Sequence, residues 1–99
     1  MISVKVKSIM DIADIFGCHE QVISLPEGSR LSSLLDVLEK KYGQPFSAIR
    51  DKIYMRKEEN NSRKINLFLN GRNIIFLDGL ETQLNDGDEV FFLSPVGGG

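Results

Sequence analysis

The chain has 99 residues, which is enough for one domain with a single hydrophobic core. Its net charge is −2, from 12 basic and 14 acidic side chains, and this balance argues against a nucleic-acid-binding surface. One cysteine cannot form an internal disulfide and fits a reducing compartment. The N-terminal residues lack the apolar segment of a secretory signal, and no apolar run approaches the roughly 18 residues that span a bilayer. We therefore predict a cytoplasmic protein that binds neither nucleic acid nor membrane.

The first part of the chain alternates between strand and helix patterns. Residues 2–7 place an apolar side chain at every second position, which predicts a half-buried strand. Residues 9–16 change to helical spacing, and Gly17 is suited to end a short helix there. Residues 21–25 alternate again and stop at the turn-forming sequence Pro26-Glu27-Gly28.

The main helix is predicted to follow this turn. Ser29 is the expected N-cap, and Gly43 together with Pro45 is expected to end the helix. Between them lies one apolar stripe at helical spacing, formed by Leu31, Leu34, Leu35, Leu38 and Tyr42. A long helix must bury such a stripe on one face of a sheet, which indicates a two-layer α+β domain.

The segment after this helix is the least regular part of the chain. Its apolar residues Phe46, Ile49, Ile53 and Tyr54 are compatible with a second short helix. The polar run at 56–64 is typical of a solvated loop, and a partner-specific insertion is the less common alternative.

Strand patterns resume after the polar run. Residues 65–69 form one predicted strand, and residues 72–76 form its return strand. Asn70-Gly71 between them is a strong hairpin signal, because both positions tolerate positive φ. Leu77 to Leu80 is predicted to be a turn with a buried leucine at each end.

The end of the chain is its most informative stretch. A tight turn at 84–88 leads into an apolar strand at 89–93, and Ser94-Pro95-Val96-Gly97-Gly98-Gly99 follows. Glycine loses the most backbone freedom on ordering, so three glycines favour a narrow thread over helix or sheet. We predict a domain at 1–94 and a flexible tail at 95–99 whose terminal carboxylate is the working group.

The residues of this end resemble those of the MoaD/ThiS family of ubiquitin-like sulfur carriers. The similarity lies in Leu84-Asn85-Asp86-Gly87-Asp88-Glu89-Val90 and in Pro95-Val96-Gly97-Gly98-Gly99. It covers most of the chain and implies a β-grasp fold, with a mixed sheet packed on one main helix. The Pro-Val-x-Gly-Gly ending is most similar to the small subunit of molybdopterin synthase, and thiamine carriers are typically shorter. Two features depart from the family pattern: Gly97 replaces a residue with a side chain, and the 46–64 segment is longer than expected.

The resemblance implies a co-substrate with no catalytic site and no bound cofactor of its own. The Gly99 carboxylate, ionised at neutral pH, is expected to attack the α-phosphate of MgATP in a MoeB/ThiF-like adenylyltransferase. A persulfide sulfur donor then converts the acyl-adenylate to a thiocarboxylate. The large subunit of molybdopterin synthase is expected to receive this terminus and pass its sulfur to a pterin precursor. Gly98 and Gly99 leave the carbonyl accessible to both active sites, because they have no Cβ.

The same reaction requires that the domain itself contacts its partners. Ordering the tail in a tunnel costs on the order of 5–10 kcal/mol, which the tail alone does not offset. If Val90 and Phe92 face the helix, the alternate side chains of the last two central strands face outward. The predicted partner-binding residues are Phe68, Phe91 and Leu93 on the sheet, with Pro95, Val96 and Gly97 in the tail. The alternatives are reversed strand parity or a loop that covers these side chains.

Other chemistry has weaker support in the sequence. Cys18-His19 lacks the further ligands that zinc needs and the orienting partner that a nucleophile needs. Asp86, Asp88 and Glu89 lack the spacing of a calcium loop and are better explained as turn residues. Two alternative functions stay open: a thiamine-type sulfur carrier, and a ubiquitin-like modifier joined to lysines of target proteins through Gly99.

Overall fold

A computed structural model of the chain describes residues 1–55 and 63–94. Its elements in chain order are β1 (Ile2–Ser8), α1 (Met10–Phe16), β2 (Glu20–Leu25), α2 (Leu31–Tyr42), α3 (Gln44–Arg50), β3 (Asn66–Leu69), β4 (Arg72–Asn73) and β5 (Glu89–Leu93). The strands form one sheet in the order β2-β1-β5-β3-β4. β1 and β5 pair in parallel, and the other neighbours are antiparallel. This arrangement confirms the predicted α+β class and the β-grasp fold.

The first strand pair and the short helix between its strands follow the sequence pattern closely. Ile2, Val4 and Val6 of β1 are buried, and Val4 lies opposite the buried Ile23 of β2. Gly17 ends α1 in the left-handed region, and its N–H donates to the Ala13 carbonyl at 2.8 Å. These three elements are confirmed.

Helix α2 buries the four leucines of the predicted stripe completely, at 0% exposed, whereas Tyr42 at its end is half-buried. Its N-cap, however, is Arg30, so the prediction of Ser29 is wrong. The Ser29 hydroxyl donates instead to the Pro26 carbonyl at 2.7 Å and so belongs to the preceding turn. The Ser33 hydroxyl accepts the Arg30 backbone N–H at 3.2 Å, which satisfies the backbone at the start of the helix.

Helix α3 begins immediately after α2. Gly43 breaks the helical path with φ of 72°, and its N–H donates to the Glu39 carbonyl at 2.8 Å. Pro45 lies in the first turn of α3, where its missing N–H leaves no hydrogen bond unmade. Phe46 is fully buried, so the short helix adds an aromatic side chain to the core.

The predicted second helix ends earlier than its apolar residues indicated. Phe46 and Ile49 lie in α3, but Ile53 and Tyr54 do not. Ile53 forms a β-bridge with Ile65, and the Tyr54 N–H donates to the Ile65 carbonyl at 2.7 Å. Both side chains are buried, and the backbone of both residues pairs with Ile65, the residue before β3. Most of the predicted loop, residues 56–62, lies outside the described residues.

The hairpin between β3 and β4 has the predicted turn. Asn70 and Gly71 have φ of 51° and 85°, so both occupy the left-handed region. Asn70 also ties this turn to the next one, because its amide Nδ2 donates to Asp88 Oδ1 at 3.0 Å. Its Oδ1 accepts the Glu89 N–H at 2.9 Å, which fixes the start of β5.

The prediction of a return strand at 72–76 is correct for residues 72 and 73 and wrong for the rest. The Asn73 Oδ1 atom accepts the Ile75 N–H at 3.1 Å and starts a 3₁₀ turn, which ends the strand pairing. The turn prediction that follows is correct in position, and a second 3₁₀ turn lies at Gly79–Glu81. Leu77 and Leu80 are only half-buried there, at the edge of the core.

One end of the core is a cluster of aromatic rings that joins every described helix to the sheet. The Phe16 ring of α1 lies 5.0 Å from Tyr42, 5.9 Å from Phe46 and 5.5 Å from Phe92, measured between centroids. Such pairs stabilise beyond their buried area when edges meet faces, as Phe16 and Phe92 do. Across the described residues, the helices are too short and too polar to cross a bilayer.

Replacing Leu35 with alanine is expected to lower the free energy of unfolding by about 2–5 kcal/mol, because the fully buried side chain leaves a cavity. Urea unfolding followed by circular dichroism measures the change. Val37→Ala on the same helix is the matched control, since Val37 is 37% exposed and its loss should cost only about 0.5 kcal/mol. Equal losses at the two positions would contradict the buried stripe.

The α2–α3 junction predicts a pH dependence of stability. Hydrogen bonds from Ser47 (2.6 Å) and Arg50 (2.7 Å) hold the pKa of Glu39 below its usual value of 4.5. Ionised Glu39 therefore stabilises the fold above that value, and this contribution is lost as the pH falls through the lower folded-state pKa.

Glu39→Gln should flatten the fall in the urea midpoint between about pH 5 and about pH 3. Glu27→Gln, at an exposed turn residue, is the charge-matched control. The pH dependence of the Glu39→Gln variant must be weaker than that of the control; an identical fall in both variants would exclude the Glu39 contacts as its source.

Candidate functional site

Strand β5 presents alternate side chains to opposite faces of the sheet. Val90 and Phe92 are fully buried in the core, whereas Phe91 and Leu93 are half-buried on the outer face. Phe68 of β3 lies directly opposite Phe91, and the two ring centroids are 6.4 Å apart. We call Phe68, Phe91 and Leu93 the outer-face patch. The predicted strand parity is confirmed, and partner binding by these residues stays a prediction.

Polar groups border the outer-face patch on both sides. On the β1 side, Lys7 lies opposite Phe91 and its Nζ atom is 3.6 Å from Glu89 Oε1. On the β3 side, Asn66 lies opposite Leu93 and its Oδ1 atom accepts a hydrogen bond from Asn73 at 2.9 Å. An apolar centre with a polar rim is the usual composition of a protein–protein interface.

The last described residue, Ser94, is held firmly at the edge of the sheet. It is 8% exposed, and its hydroxyl donates to Asp11 Oδ1 at 2.5 Å. The same carboxylate oxygen accepts the Ile12 N–H at 3.1 Å. Sequence reasoning identified neither Asp11 nor the contact of Ser94, because nothing in the local pattern links residues 83 positions apart.

The topology explains why α1 and the end of β5 meet. β1 and β5 run parallel, with Ser8 opposite Phe92, so their carboxyl ends lie at the same edge. α1 begins two residues after Ser8, and the C-terminal segment begins two residues after Phe92. The predicted site residues of that segment, Pro95, Val96, Gly97, Gly98 and Gly99, lie outside the described residues, and their roles stay predictions.

Cys18 and His19 are engaged in local contacts next to α1. The Cys18 thiol lies 3.7 Å from the Phe16 carbonyl, and His19 Nδ1 lies 3.2 Å from the Ser8 carbonyl. Within 1–55 and 63–94, no group of three His, Cys, Asp or Glu side chains is placed to hold a metal ion.

The acidic turn before β5 uses its carboxylates to hold backbone. Asp86 Oδ1 accepts the Ser3 N–H at 2.7 Å, and Asp88 Oδ2 accepts the Asn85 N–H at 2.8 Å. The turn is thereby fastened to the start of β1. These contacts support turn chemistry, rather than a cation site, as the reason for the acidic residues.

The chain is similar to proteins named for two related activities. It is 40% identical over 45 residues to a proposed sulfur carrier protein of Archaeoglobus fulgidus and 49% identical over 35 residues to small archaeal modifier protein 3 of Haloferax volcanii. These matches cover 46% and 35% of this chain, and 51% and 38% of the two relatives, so they span about half of those proteins or less.

Solved structures match over nearly the whole chain. Small archaeal modifier protein 1 of Methanosarcina acetivorans is 35% identical with a TM-score of 0.70, covering 100% of this chain and 98% of that one. A proposed molybdopterin converting factor subunit 1 of Pyrococcus furiosus is 27% identical with a TM-score of 0.72, covering 97% and 100%. A BexX/CysO complex of Amycolatopsis orientalis contains a chain that is 27% identical with a TM-score of 0.67, covering 97% and 99%.

The model of the ThiS family matches residues 9–99, a span that begins at the last residue before α1 and includes the whole C-terminal segment. The fold agrees with this match. The chain belongs to the ThiS family.

Proposed function

We propose that this chain is a sulfur carrier whose C-terminal Gly99 carboxylate becomes a thiocarboxylate and supplies sulfur for molybdopterin synthesis. One observation carries the proposal: β5 bears two residues of the outer-face patch and leads directly into the glycine segment. A partner that binds the patch would therefore lie beside Ser94, from which the glycine segment continues in the sequence.

The chemistry requires the carboxylate to be activated, because a carboxylate is a poor acyl donor. A carboxylate oxygen of Gly99 attacks the α-phosphorus of MgATP in the activating enzyme, which releases pyrophosphate and leaves an acyl-adenylate. The terminal sulfur of a persulfide then attacks the acyl carbon and displaces AMP. A second thiol cleaves the resulting acyl disulfide, which leaves the thiocarboxylate on this chain and a disulfide on the donor. The chain supplies the acyl group, and its partners supply the catalytic groups.

The outer-face patch provides the binding energy that such a tail needs. Ordering Pro95 to Gly99 costs on the order of 5–10 kcal/mol. Removing apolar surface from water contributes about 25 cal/mol per Å², so burial of a patch with two aromatic rings can offset a substantial part. The half-buried rings of Phe68 and Phe91 are already ordered against each other, so little side-chain entropy remains to be lost on docking.

Similarity over nearly the full length to a proposed molybdopterin converting factor subunit 1 supports the molybdopterin assignment. The partners we infer are an adenylyltransferase, a persulfide donor and a molybdopterin synthase large subunit. The presence of a related chain in a two-protein complex supports partner docking in general. Persulfide chemistry needs reduced thiols, which fits a cytoplasmic protein with one free cysteine.

A second candidate function is a protein modifier, and a specific observation favours it. The chain is 35% identical over its whole length to a small archaeal modifier protein. In that case the activated Gly99 carbonyl would be attacked by a lysine amine of a target protein and form an isopeptide bond. Activation is common to both functions, so the product formed after activation distinguishes them.

Incubation with an adenylyltransferase, MgATP and a persulfide donor should raise the intact mass of the chain by the exchange of one oxygen for one sulfur. Mass spectrometry of the C-terminal peptide locates the sulfur at Gly99. Deletion of Gly99 should abolish the product while leaving the circular dichroism unchanged. Val37→Ala is the control variant and should react normally, since Val37 lies on α2, outside the patch and the tail.

Addition of the thiocarboxylate form to a molybdopterin synthase large subunit and pterin precursor should consume the sulfur and return the carboxylate. Isopeptide adducts on other proteins, with no sulfur consumed, would support the modifier instead. Failure of wild-type chain to form either product would refute the carrier and modifier functions together.

Phe91→Arg should raise the KM for activation at least about tenfold, equivalent to about 1.4 kcal/mol of docking energy. The reason is that the charged side chain must be desolvated at the centre of the interface. Pyrophosphate exchange at varied chain concentration measures KM and kcat. Val22→Arg is the matched control, because Val22 of β2 is 62% exposed on the same outer face of the sheet but lies away from the patch. The KM of this variant should stay within about twofold of wild type.

A further inference from the structure

We propose that Asp11 is a positioning residue: its carboxylate holds Ser94, the residue from which the C-terminal segment continues, at one place on the sheet edge. This proposal rests on the proposed function, because the position of Ser94 matters only if Gly99 must enter a partner's active site. Asp11 acts through Ser94 and touches no reacting atom, so its role differs from that of the tail residues.

The Asp11–Ser94 contact has the geometry of a strong hydrogen bond. Its oxygen–oxygen distance of 2.5 Å lies at the short end of the range for a hydroxyl that donates to a carboxylate. Ser94 is 8% exposed and Asp11 is exposed, so the hydroxyl side of the bond is shielded from water and the carboxylate side is not. The Ile12 N–H donates to the same Oδ1 atom at 3.1 Å and restricts its rotation. The carboxylate therefore acts as a fixed anchor point.

Helix α1 is a rigid support for this carboxylate. On its inner side, Ile12 and Ala13 are 1% and 5% exposed. Phe16 packs edge-to-face on Phe92, with ring centroids 5.5 Å apart. α1 thus has two contacts at this edge, from Phe16 to Phe92 of β5 and from Asp11 to Ser94, the residue after β5. The Phe16–Phe92 contact fixes the distance between α1 and the sheet. The Asp11–Ser94 contact fixes the position of Ser94.

The backbone before Asp11 adopts a conformation that most residues avoid. Met10 has φ of 56°, which is uncommon for a residue with a long side chain. It lies two residues after the end of β1, where the chain turns sharply into α1. Such a conformation costs free energy, and conformations of this kind cluster at functional sites. Here the turn brings Asp11 to the edge at which β5 ends.

Fixing Ser94 has a chemical consequence at the end of the tail. A carboxylate reacts with ATP only when it reaches the α-phosphorus in line, and small displacements reduce the rate strongly. The outer-face patch determines how tightly the domain docks, whereas the Asp11–Ser94 contact determines where the tail starts. Loss of this contact should therefore lower kcat and leave KM nearly unchanged.

The test is pyrophosphate exchange by an adenylyltransferase that accepts the wild-type chain. Asp11→Ala and Ser94→Ala should each lower kcat about tenfold with KM within about twofold, as expected for one lost hydrogen bond to a charged group. The double variant should be no slower than either single variant, because both remove the same bond. Ser94→Thr keeps the hydroxyl and should restore kcat to within about threefold of wild type.

Asp14→Ala is the matched control, since it removes the same charge from an exposed position of α1 and should leave kcat unchanged. Thermal unfolding and the ¹⁵N–¹H spectrum establish that each variant is folded at the assay temperature. Folded Asp11→Ala and Ser94→Ala variants with wild-type kcat would overturn the positioning role, even if they melt at a lower temperature. Additive losses in the double variant, or equal loss in Asp14→Ala, would also overturn it. Absence of exchange with the wild-type chain would instead count against the proposed function.

Discussion

The parallel pairing of β1 with β5 determines where the rest of the domain can lie. Val6 lies opposite Val90 in the interior of the sheet, and both are buried. Parallel neighbours cannot be joined by a hairpin, so the chain between them must cross over the sheet. That crossover includes all the described helices and the remaining strands. The same pairing brings the start of α1 and the end of β5 to one edge, which is why Asp11 meets Ser94.

The core and the outer-face patch depend on one another through the strand register. Phe92 is fully buried against Phe16 and Phe46, and its neighbours Phe91 and Leu93 must then face outward. A one-residue slip of β5 would expose Phe92 and bury both patch residues from this strand. Packing of the aromatic cluster therefore also positions the surface that we assign to docking. Asn70 strengthens the register from the other end, because its side chain binds both Asp88 and Glu89.

Features set by alternation, helical spacing and turn residues were predictable from the sequence, and features set by single side-chain hydrogen bonds were not. Alternation in β1, the leucine stripe of α2 and the Asn70-Gly71 turn each depend on neighbouring residues, and all were predicted correctly. β4 ends early because the Asn73 side chain accepts the backbone N–H of Ile75. The Asp11–Ser94 bond depends on the order of the strands, which no local pattern encodes.

Two residues of the patch lie on the strand that precedes the C-terminal segment, and this proximity in sequence bears on how partners can use this protein. If both Phe91 and the tail must be held during activation, an activating enzyme covers the surface that a sulfur acceptor also needs. Two such partners could not bind together, so the chain would have to be released between charging and delivery. Release requires moderate affinity, and a small patch of three side chains with a polar rim is suited to that requirement. Tighter docking would mainly slow the dissociation of the chain from each partner. A carrier that binds more tightly would therefore gain little in its rate of repeated activation.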